Sequence, residues 1–345
     1  IIGAGASADP PKKAGLAWLT ANLLDEGAGD LDAIQVSDAL RQLATDYGAT
    51  VYQDSMSLSM DMLSENLEKS LSLLSDFILR PRLSADDFMR IKKRQIANVL
   101  AGKANPKNAR NKVMMRALFG EGYIGLPSGG LTETLESITL KEVTAAYKAL
   151  IKPSGSTLIV VGDVSRAELE PLLKDRFSTW RGEPSVSPRP LLAEQKVGAI
   201  HWVDFPGSTQ SAVAMVRRAQ GQTETKDAMS EELFNLVFGG KFTSRLNLNL
   251  REDKGYTYGA YSGLYRYQKT GMHFLSGMIK GDQTAAAIKE MISEIDRIST
   301  DHPISAEELE RVRGGELKGY PAKFEERSGV VGLLSEARRE NRGPA

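Results

Sequence analysis

The sequence predicts an α+β protein made of two similar domains, each with a mostly antiparallel sheet covered by helices on one face. Three observations support this prediction: strand-like and helix-like patterns alternate along the chain, the same order of elements recurs about 220 residues later, and a proline-rich segment lies between the two occurrences. A length of 345 residues suits two hydrophobic cores better than one.

The first occurrence begins with a strand. From Met56 to Met62, methionine or leucine alternates with serine or aspartate, which is typical of a half-buried strand. Apolar residues spaced by three and four in SENLEKSLSLLSDFIL predict an amphipathic helix, and PRLSADDFMRIKKRQ predicts a turn and another helix. Later in this half, STLIVVGDVS has the apolar run of a buried strand.

The second occurrence repeats this order. YGAYSGLYRYQKTGMHFLSGMI predicts a hairpin of two strands, and DQTAAAIKEMISEIDRI predicts a helix. SAEELERVRG then takes the place that SADDFMRIKK has in the first half. Capping boxes predict helix starts at Thr139–Glu142, Ser165–Glu168 and Ser305–Glu308.

The segment between the halves, RGEPSVSPRPLLAEQ at residues 181–195, contains three prolines and several small polar residues, which predicts a linker. The expected domains are therefore residues 1–180 and 196–345. Duplicated domains joined in this way are expected to enclose a cleft that binds a ligand.

The composition excludes several classes of function. The 44 basic and 44 acidic residues cancel and form no long block of like charge, so neither nucleic acid nor an anionic membrane is expected as the main partner. No run of about 18 apolar residues occurs, so no membrane span is expected. Cysteine is absent, which excludes disulfides, thiol nucleophiles and cysteine-bound zinc. The chain begins at Ile1 without a methionine, so we expect a truncated or processed start, with any export signal outside this sequence.

The three histidines are His201, His273 and His302, and none lies at metal-ligand spacing from another. His201 precedes Trp202 in a strand-like run. We interpret all three as surface or half-buried imidazoles and expect no histidine-rich catalytic site.

Residues 15–27, GLAWLTANLLDEG, combine helical spacing of apolar residues with a closing glycine, which predicts a helix. With the repeated halves, DPPKKAGLAWLTANLLDEG and GGKFTSRLNLNLREDKGYTYG resemble the M16 metallopeptidases (insulinase/pitrilysin, mitochondrial processing peptidase-like). The bacterial M16B type, whose single-unit chains pair, is the nearest pattern. The resemblance covers nearly the whole chain and implies the LuxS/MPP-like metallohydrolase fold.

Catalytic members of that family carry His-x-x-Glu-His on this helix and a further glutamate ligand on a second helix. The resemblance places these four residues at Trp18, Ala21, Asn22 and Asn98. An indole nitrogen only donates hydrogen bonds, a methyl group offers no donor atom to a metal, and neutral amides are poor zinc ligands. The resemblance therefore implies a degenerate zinc site, with no metal in this chain and with Trp18 filling the space. The adjacent Asp25 and Glu26 point in different directions on a helix and are expected to be solvated or near the helix end instead of chelating.

The second matching segment is intact and contains Arg251 and Tyr258. The resemblance implies that this pair reaches across the cleft, in trans, toward substrate at the partner's metal. The residues alone leave a plainer alternative open, in which Arg251 pairs with a neighbouring carboxylate and Tyr258 packs as an ordinary strand residue. The pattern YTYGAY predicts Tyr256 and Tyr258 on one face of a strand.

The resemblance thus implies the non-catalytic subunit of a heterodimeric M16 zinc peptidase, inactive on its own. It would help to bind a peptide substrate, and a zinc-bearing M16 partner would hold the metal. Two alternatives are a structural M16-like scaffold subunit and a peptide-binding homodimer that does not cleave. The expected compartment is the periplasm, otherwise the cytoplasm.

Overall fold

The structure is a computed structural model that describes residues 1–185, 198–222 and 227–339. Most of the expected linker, residues 186–195, lies outside the described residues. The chain divides into two compact units. The first unit comprises Ile1–Ala104 and Phe119–Glu194, and the second comprises Asn105–Leu118 and Gln195–Ala345.

Runs of helices and antiparallel strands follow one another along the chain, as expected for an α+β fold. Up to residue 185 the elements are α1 (Leu16–Ala21), α2 (Ala33–Gln42), β1 (Asp46–Val51), β2 (Met56–Asp61), α3 (Leu67–Leu79), α4 (Ala85–Gly102), α5 (Pro106–Phe119), α6 (Thr132–Ser137), α7 (Leu140–Leu150) and α8 (Arg166–Phe177). After residue 198 they are β3 (Gln210–Ala219), α9 (Ala228–Phe238), α10 (Arg245–Asn247), β4 (Thr257–Arg266), β5 (Gly271–Lys280), α11 (Thr284–Ser299), α12 (Ala306–Gly319) and α13 (Arg327–Arg339).

In the first unit, β1 and β2 pair antiparallel from Asp46 opposite Asp61 to Val51 opposite Met56. The predicted amphipathic helix is α3, whose apolar side is buried in the core of this unit. The ring of Tyr47 in β1 meets Phe77 of α3 edge-on, with the ring centroids 4.9 Å apart. The capping boxes predicted at Thr139 and Ser165 begin α7 and α8, so both predictions are confirmed.

Two apolar segments predicted from their composition as strands do not form strands. Thr157 exchanges backbone hydrogen bonds with Ile1, but no further ladder follows in the described chain, and Leu158 is 51% exposed. In the second unit, the run that contains His201 and Trp202 is likewise exposed and not part of a sheet. An apolar run becomes a strand only where a neighbouring backbone pairs with it, which composition alone does not reveal.

In the second unit, three antiparallel strands form a sheet in the order β3-β5-β4. The predicted hairpin is β4–β5, and the predicted capping box at Ser305 begins α12, so both are confirmed. One face of the sheet packs against helices around a buried cluster: Phe238, Leu246, Leu250, Ala260, Leu275, Ile279, Ala287 and Met291. The mixed helix and antiparallel-sheet architecture confirms the predicted fold class.

Arg245 connects α10 to α12 in this helical layer. Its Nε lies 2.7 Å from Oε1 of Glu308 in α12, and its Nη2 lies 2.5 Å from Oε2. The same guanidinium also donates to the carbonyl oxygens of His302 and Pro303. The Arg245 side chain is largely buried, so this bidentate pair fixes α10 relative to α12.

As interpreted from the sequence, His201 and His302 are exposed and His273 is half-buried. None of the helices within the described ranges has both the length and the apolar composition that crossing a bilayer requires.

Candidate functional site

The helix that resembles a zinc helix is short, because α1 ends at Ala21 and turns follow to Asp25, not the longer helix predicted to Gly27. Asp9, which is almost fully buried, starts it: the two carboxylate oxygens accept hydrogen bonds from the backbone N–H groups of Gly15 at 2.9 Å and Ala17 at 2.8 Å. This cap is not among the features predicted from the sequence. An aspartate directly before two prolines and ahead of a helical pattern is the signal that could have indicated it.

The residues at the degenerate positions of α1 serve the helix itself. Asn22 ends the helix, and its Nδ2 donates to the carbonyl oxygen of Trp18 at 2.9 Å. Ala21 is completely buried, and Trp18 is partly buried against the core of the first unit. Trp18 thus packs as an aromatic core residue, although part of its surface stays exposed.

Asn98 lies on α4 and is exposed. The buried amide on that helix is instead Gln95, whose Nε2 donates to the carbonyl oxygen of Gly129 at 2.8 Å. The donor set at the four degenerate positions therefore does not fit a zinc ion, because it contains no imidazole, carboxylate or thiolate. Elsewhere among the described residues, no group of three or more histidine, cysteine, aspartate or glutamate side chains could hold a metal ion.

Asp25 and Glu26 lie just beyond the end of α1, which agrees with the expectation of a place near the helix end, but both are only partly exposed. Glu26 forms an ion pair with Arg90 of α4, with 2.5 Å between its Oε2 and the arginine Nη2, and Arg94 lies 3.8 Å away. Burial, and then the neighbouring Glu26 charge, raises the pKa of Asp25 to about 6. The hydroxyl of Tyr47 is buried with no hydrogen-bond partner in the described chain, and its pKa is raised by burial and by Asp25. Arg90 and Arg94 of α4 therefore contact the segment that follows α1.

Arg251 lies on a π-helical segment, Leu248–Asp253, that continues directly from α10. π-Helical turns are rare and are frequent at functional sites. The guanidinium carbon of Arg251 lies 4.1 Å from the ring centroid of Phe242, a cation–π contact that holds the side chain in place. Its Nη1 is buried, makes no hydrogen bond in the described chain and forms an ion pair with Oε1 of Glu252 at 3.5 Å, which is the neighbouring-carboxylate contact of the plainer alternative.

Tyr258 is the most exposed part of this region, with 86% of its surface accessible. The prediction that Tyr256 shares its face is wrong: Tyr256 precedes β4, donates its N–H to the carbonyl oxygen of Leu250, and packs against the buried cluster. A β-bulge between Thr257 and Ala260 changes the direction of Tyr258. No hydrogen bond, ion pair or ring contact joins Arg251 to Tyr258 within the residues that the structure describes.

Asn247 positions the elements that carry Arg251 and Tyr258. Fully buried, it donates from Nδ2 to the carbonyl oxygen of Phe242 at 2.6 Å and accepts at Oδ1 from the N–H of Ala260 at 3.1 Å. One amide therefore links the loop that holds the ring under Arg251 to the strand that carries Tyr258. The sequence analysis missed this residue, because an asparagine within a helical pattern has no distinguishing local signal.

Comparison with known families gives two matches. The family described as peptidase M16 inactive domain matches residues 137–315, and insulinase (peptidase family M16) matches residues 1–128. An uncharacterized zinc protease of Mycobacterium leprae is 23% identical over 92% of this chain and 71% of its own length. The non-peptidase homolog YmxG of Helicobacter pylori is 19% identical over 84% of this chain and 67% of its own length. The relatives thus include both zinc proteases and a non-peptidase.

Solved structures show the same fold. A peptidase M16 inactive domain from Pseudomonas fluorescens is 25% identical, with a TM-score of 0.87 over 99% of this chain and 82% of that chain. A chain in Complex III2 from Candida albicans is 14% identical, with a TM-score of 0.80 over 100% and 80% of the two chains. The periplasmic protease PqqL from Escherichia coli is 16% identical, with a TM-score of 0.74 over 99% and 39%. This fold therefore also occurs as a subunit of a larger assembly.

Proposed function

Since this chain belongs to peptidase family M16, we propose that it is the non-catalytic subunit of a heterodimeric zinc peptidase. It helps to bind a peptide and presents Arg251 and Tyr258 to the active site of a zinc-bearing M16 partner. The observation that carries this proposal is the accessibility of the pair: Arg251 is held against Phe242 with 31% of its side chain exposed, and Tyr258 is 86% exposed.

The chemistry of the pair suits this role. A guanidinium stacked on Phe242 loses little freedom on binding, and the exposed part of its side chain can donate to a peptide carbonyl oxygen. An exposed phenol can donate a second hydrogen bond to the same group or to the charge that develops on it during hydrolysis. Neither side chain needs a metal in this chain to make these contacts.

The partner would supply the zinc site that Trp18, Ala21, Asn22 and Asn98 do not provide. A relative named as a non-peptidase homolog supports an inactive chain of this family. The periplasm is the proposed compartment, supported by the periplasmic location named for PqqL.

The test is to mix this chain with zinc-bearing M16 chains and to measure peptide cleavage. We expect cleavage only in a mixture. Arg251→Ala and Tyr258→Phe should each lower kcat about a hundredfold, because each removes a donor to the developing charge. Arg313→Ala and Tyr320→Phe are matched controls, since both residues lie on exposed surfaces of the second unit and should leave kcat unchanged.

A scaffold is the second candidate, favoured by the matching chain of Complex III2. It predicts a stable mixed complex whose cleavage rate is indifferent to Arg251→Ala and Tyr258→Phe. A homodimer that retains peptide without cutting it would show binding and no cleavage with any partner. Either result would refute the proposed role in trans.

A further inference from the structure

The first unit contains a cavity of about 560 Å³ that opens to solvent at the C-terminal ends of three helices. Its wall includes Leu79 at the end of α3, Lys148 near the end of α7 and Arg176 near the end of α8. Sites that bind small organic molecules have volumes of roughly 300 to 1,000 Å³, so this cavity is large enough for a ligand. None of the degenerate zinc positions lines it.

The charged side chains around this cavity do not balance. Asp76 accepts a hydrogen bond from Nη2 of Arg80 at 2.8 Å. Asp175 lies 3.4 Å from Nε of Arg176, so both carboxylates of the wall already have a cationic partner. Three further cations line the cavity and form no ion pair within the described part of the chain: Lys148, Lys152 and Arg181. Three positive charges are therefore left without a counter-charge.

The helix ends account for only part of this excess. Each helix C-terminus carries roughly half a negative elementary charge, so three of them offset about half of the three positive charges. Two carbonyl oxygens at these ends also have other donors: the Tyr147 hydroxyl donates to Ile78 at 2.9 Å. Trp180 donates from Nε1 to the carbonyl oxygen of Ile151 at 3.3 Å. A net charge of about +1.5 remains, which one or two negative charges on a ligand would balance.

A glycine turn after α8 brings the cations close together. Gly182 has a φ of 104°, which L side chains rarely adopt, and a β-carbon added there would lie 3.3 Å from Cδ and 3.8 Å from Nζ of Lys152. The Lys152 ammonium thus lies against the turn that follows Arg181, whose Nη1 donates to the carbonyl oxygen of Trp180 at 2.9 Å. Lys148 precedes Lys152 by four positions. Like charges held near each other repel, and a bound anion would remove that repulsion.

The remainder of the wall is apolar and aromatic. Trp180 packs against Phe177, with the ring centroids 6.0 Å apart, and the hydrogen bonds of Trp180 and Tyr147 to the backbone hold both side chains in place. Three aliphatic side chains also line the cavity: Ile78, Leu79 and Ile151. A simple inorganic anion would leave this apolar part of the wall unused. The complement of the cavity is therefore an apolar group that carries one or two negative charges.

We infer that this cavity binds the C-terminal residue of a peptide whose last side chain is apolar. The α-carboxylate would lie among Lys148, Lys152 and Arg181, where a guanidinium can donate two parallel hydrogen bonds to it. The last side chain would lie against the ring of Trp180. The choice of a peptide over another organic acid rests on the proposed function, in which this chain binds peptides.

Isothermal titration calorimetry on this chain alone measures the binding without depending on cleavage. The probes are an N-acetylated tetrapeptide that ends in phenylalanine with a free carboxylate, the same peptide with a C-terminal amide, and a free-acid version that ends in glycine. We expect the phenylalanine acid to bind about tenfold more tightly than either of the others. Lys148→Gln with Lys152→Gln should weaken its binding about tenfold, because two of the three charges around the carboxylate are lost.

Lys93→Gln with Lys141→Gln is the matched control, because it removes the same charge from exposed positions of the first unit that do not line the cavity. Equal affinity for the acid and the amide, binding that the cavity variant does not weaken, or no binding of any of the three peptides would overturn the inference. Inorganic phosphate that binds as tightly as the peptide and displaces it would also overturn it, because the site would then hold a simple anion. Arg251→Ala separates the two proposals: it should retain peptide binding here and lower cleavage in the mixture with a zinc-bearing chain.

Discussion

Trp18, Ala21 and Asn22, the three degenerate positions at α1, stabilise the helix and its packing. The Asn22 amide bonds back to the Trp18 carbonyl and ends the helix, and Ala21 is fully enclosed. A glutamate at position 21 would place a carboxylate in space now closed by apolar side chains, at a cost of several kcal/mol unless it were paired. A zinc site at these positions would thus require a change in the packing of this helix as well as in the side chains.

Asp25 gives a pH-dependent test of that packing. Its folded-state pKa, about 6, lies above its ordinary value of 3.8, so the stability that its protonation contributes is complete below about pH 3.8 and is lost as pH rises through 6. Asp25→Asn removes the buried charge. We therefore expect the free energy of unfolding at pH 8 to rise by about 1 to 3 kcal/mol, with a smaller gain at pH 5.

Urea titrations at the two pH values measure this difference. Asp38→Asn is the control, because the Asp38 side chain is exposed on α2 and forms an ion pair there with Arg41. A variant that loses stability at pH 8 would mean that the Asp25 carboxylate is favourably paired, in conflict with its surroundings in this structure.

Local patterns predicted the helix starts, and longer-range pairing decided what they could not. A capping box involves residues three positions apart, so Thr139, Ser165 and Ser305 could be recognised from the sequence. The bulge before Ala260 depends on how β4 meets β5, and the exposed run at Leu158 depends on whether a neighbouring strand exists. Neither the bulge nor the absence of a pairing strand can be predicted from the local sequence, because both depend on residues distant in the chain.

The ion pair between α10 and α12 makes a second pH-dependent prediction. Hydrogen bonds from Arg245 lower the pKa of Glu308 to about 2 from its ordinary 4.5, so the stability that this carboxylate contributes is present above pH 4.5 and lost as pH falls toward 2. Glu308→Gln keeps an oxygen that can accept the Ser305 cap but removes the charge. We expect a loss of about 2 kcal/mol in the free energy of unfolding at pH 7.

The difference between this variant and the wild type should shrink steadily as pH falls from 4.5, and denaturant unfolding at several pH values follows it. Glu310→Gln is the control, because Glu310 forms an exposed pair with Arg313. A loss of equal size at pH 7 and pH 3 would show that the pair does not depend on the charge of Glu308.

The candidate site as a whole was only partly accessible from the sequence. Arg251 and Tyr258 follow from a family pattern, because their segment keeps its order and spacing. The features that hold them, namely the Phe242 ring, the Asn247 amide and the bulge, come from contacts between separate elements. Sequence reasoning therefore identified the groups that act in the proposed function but not what orients them.

Zinc content and activity together test whether the zinc site lies in the partner subunit of the proposed heterodimer and not in this chain. Because Trp18, Ala21, Asn22 and Asn98 provide no zinc ligand of the family type, we expect this chain, purified and dialysed, to hold no stoichiometric zinc and to cleave no peptide by itself. A zinc-bearing M16 chain prepared in the same way is the control for metal lost during purification. Elemental analysis that finds one tightly held zinc per molecule of this chain would contradict the proposal, because the metal would then lie in the subunit assigned only to binding. Cleavage that requires both chains, with all of the zinc in the other one, is the result that a shared active site predicts.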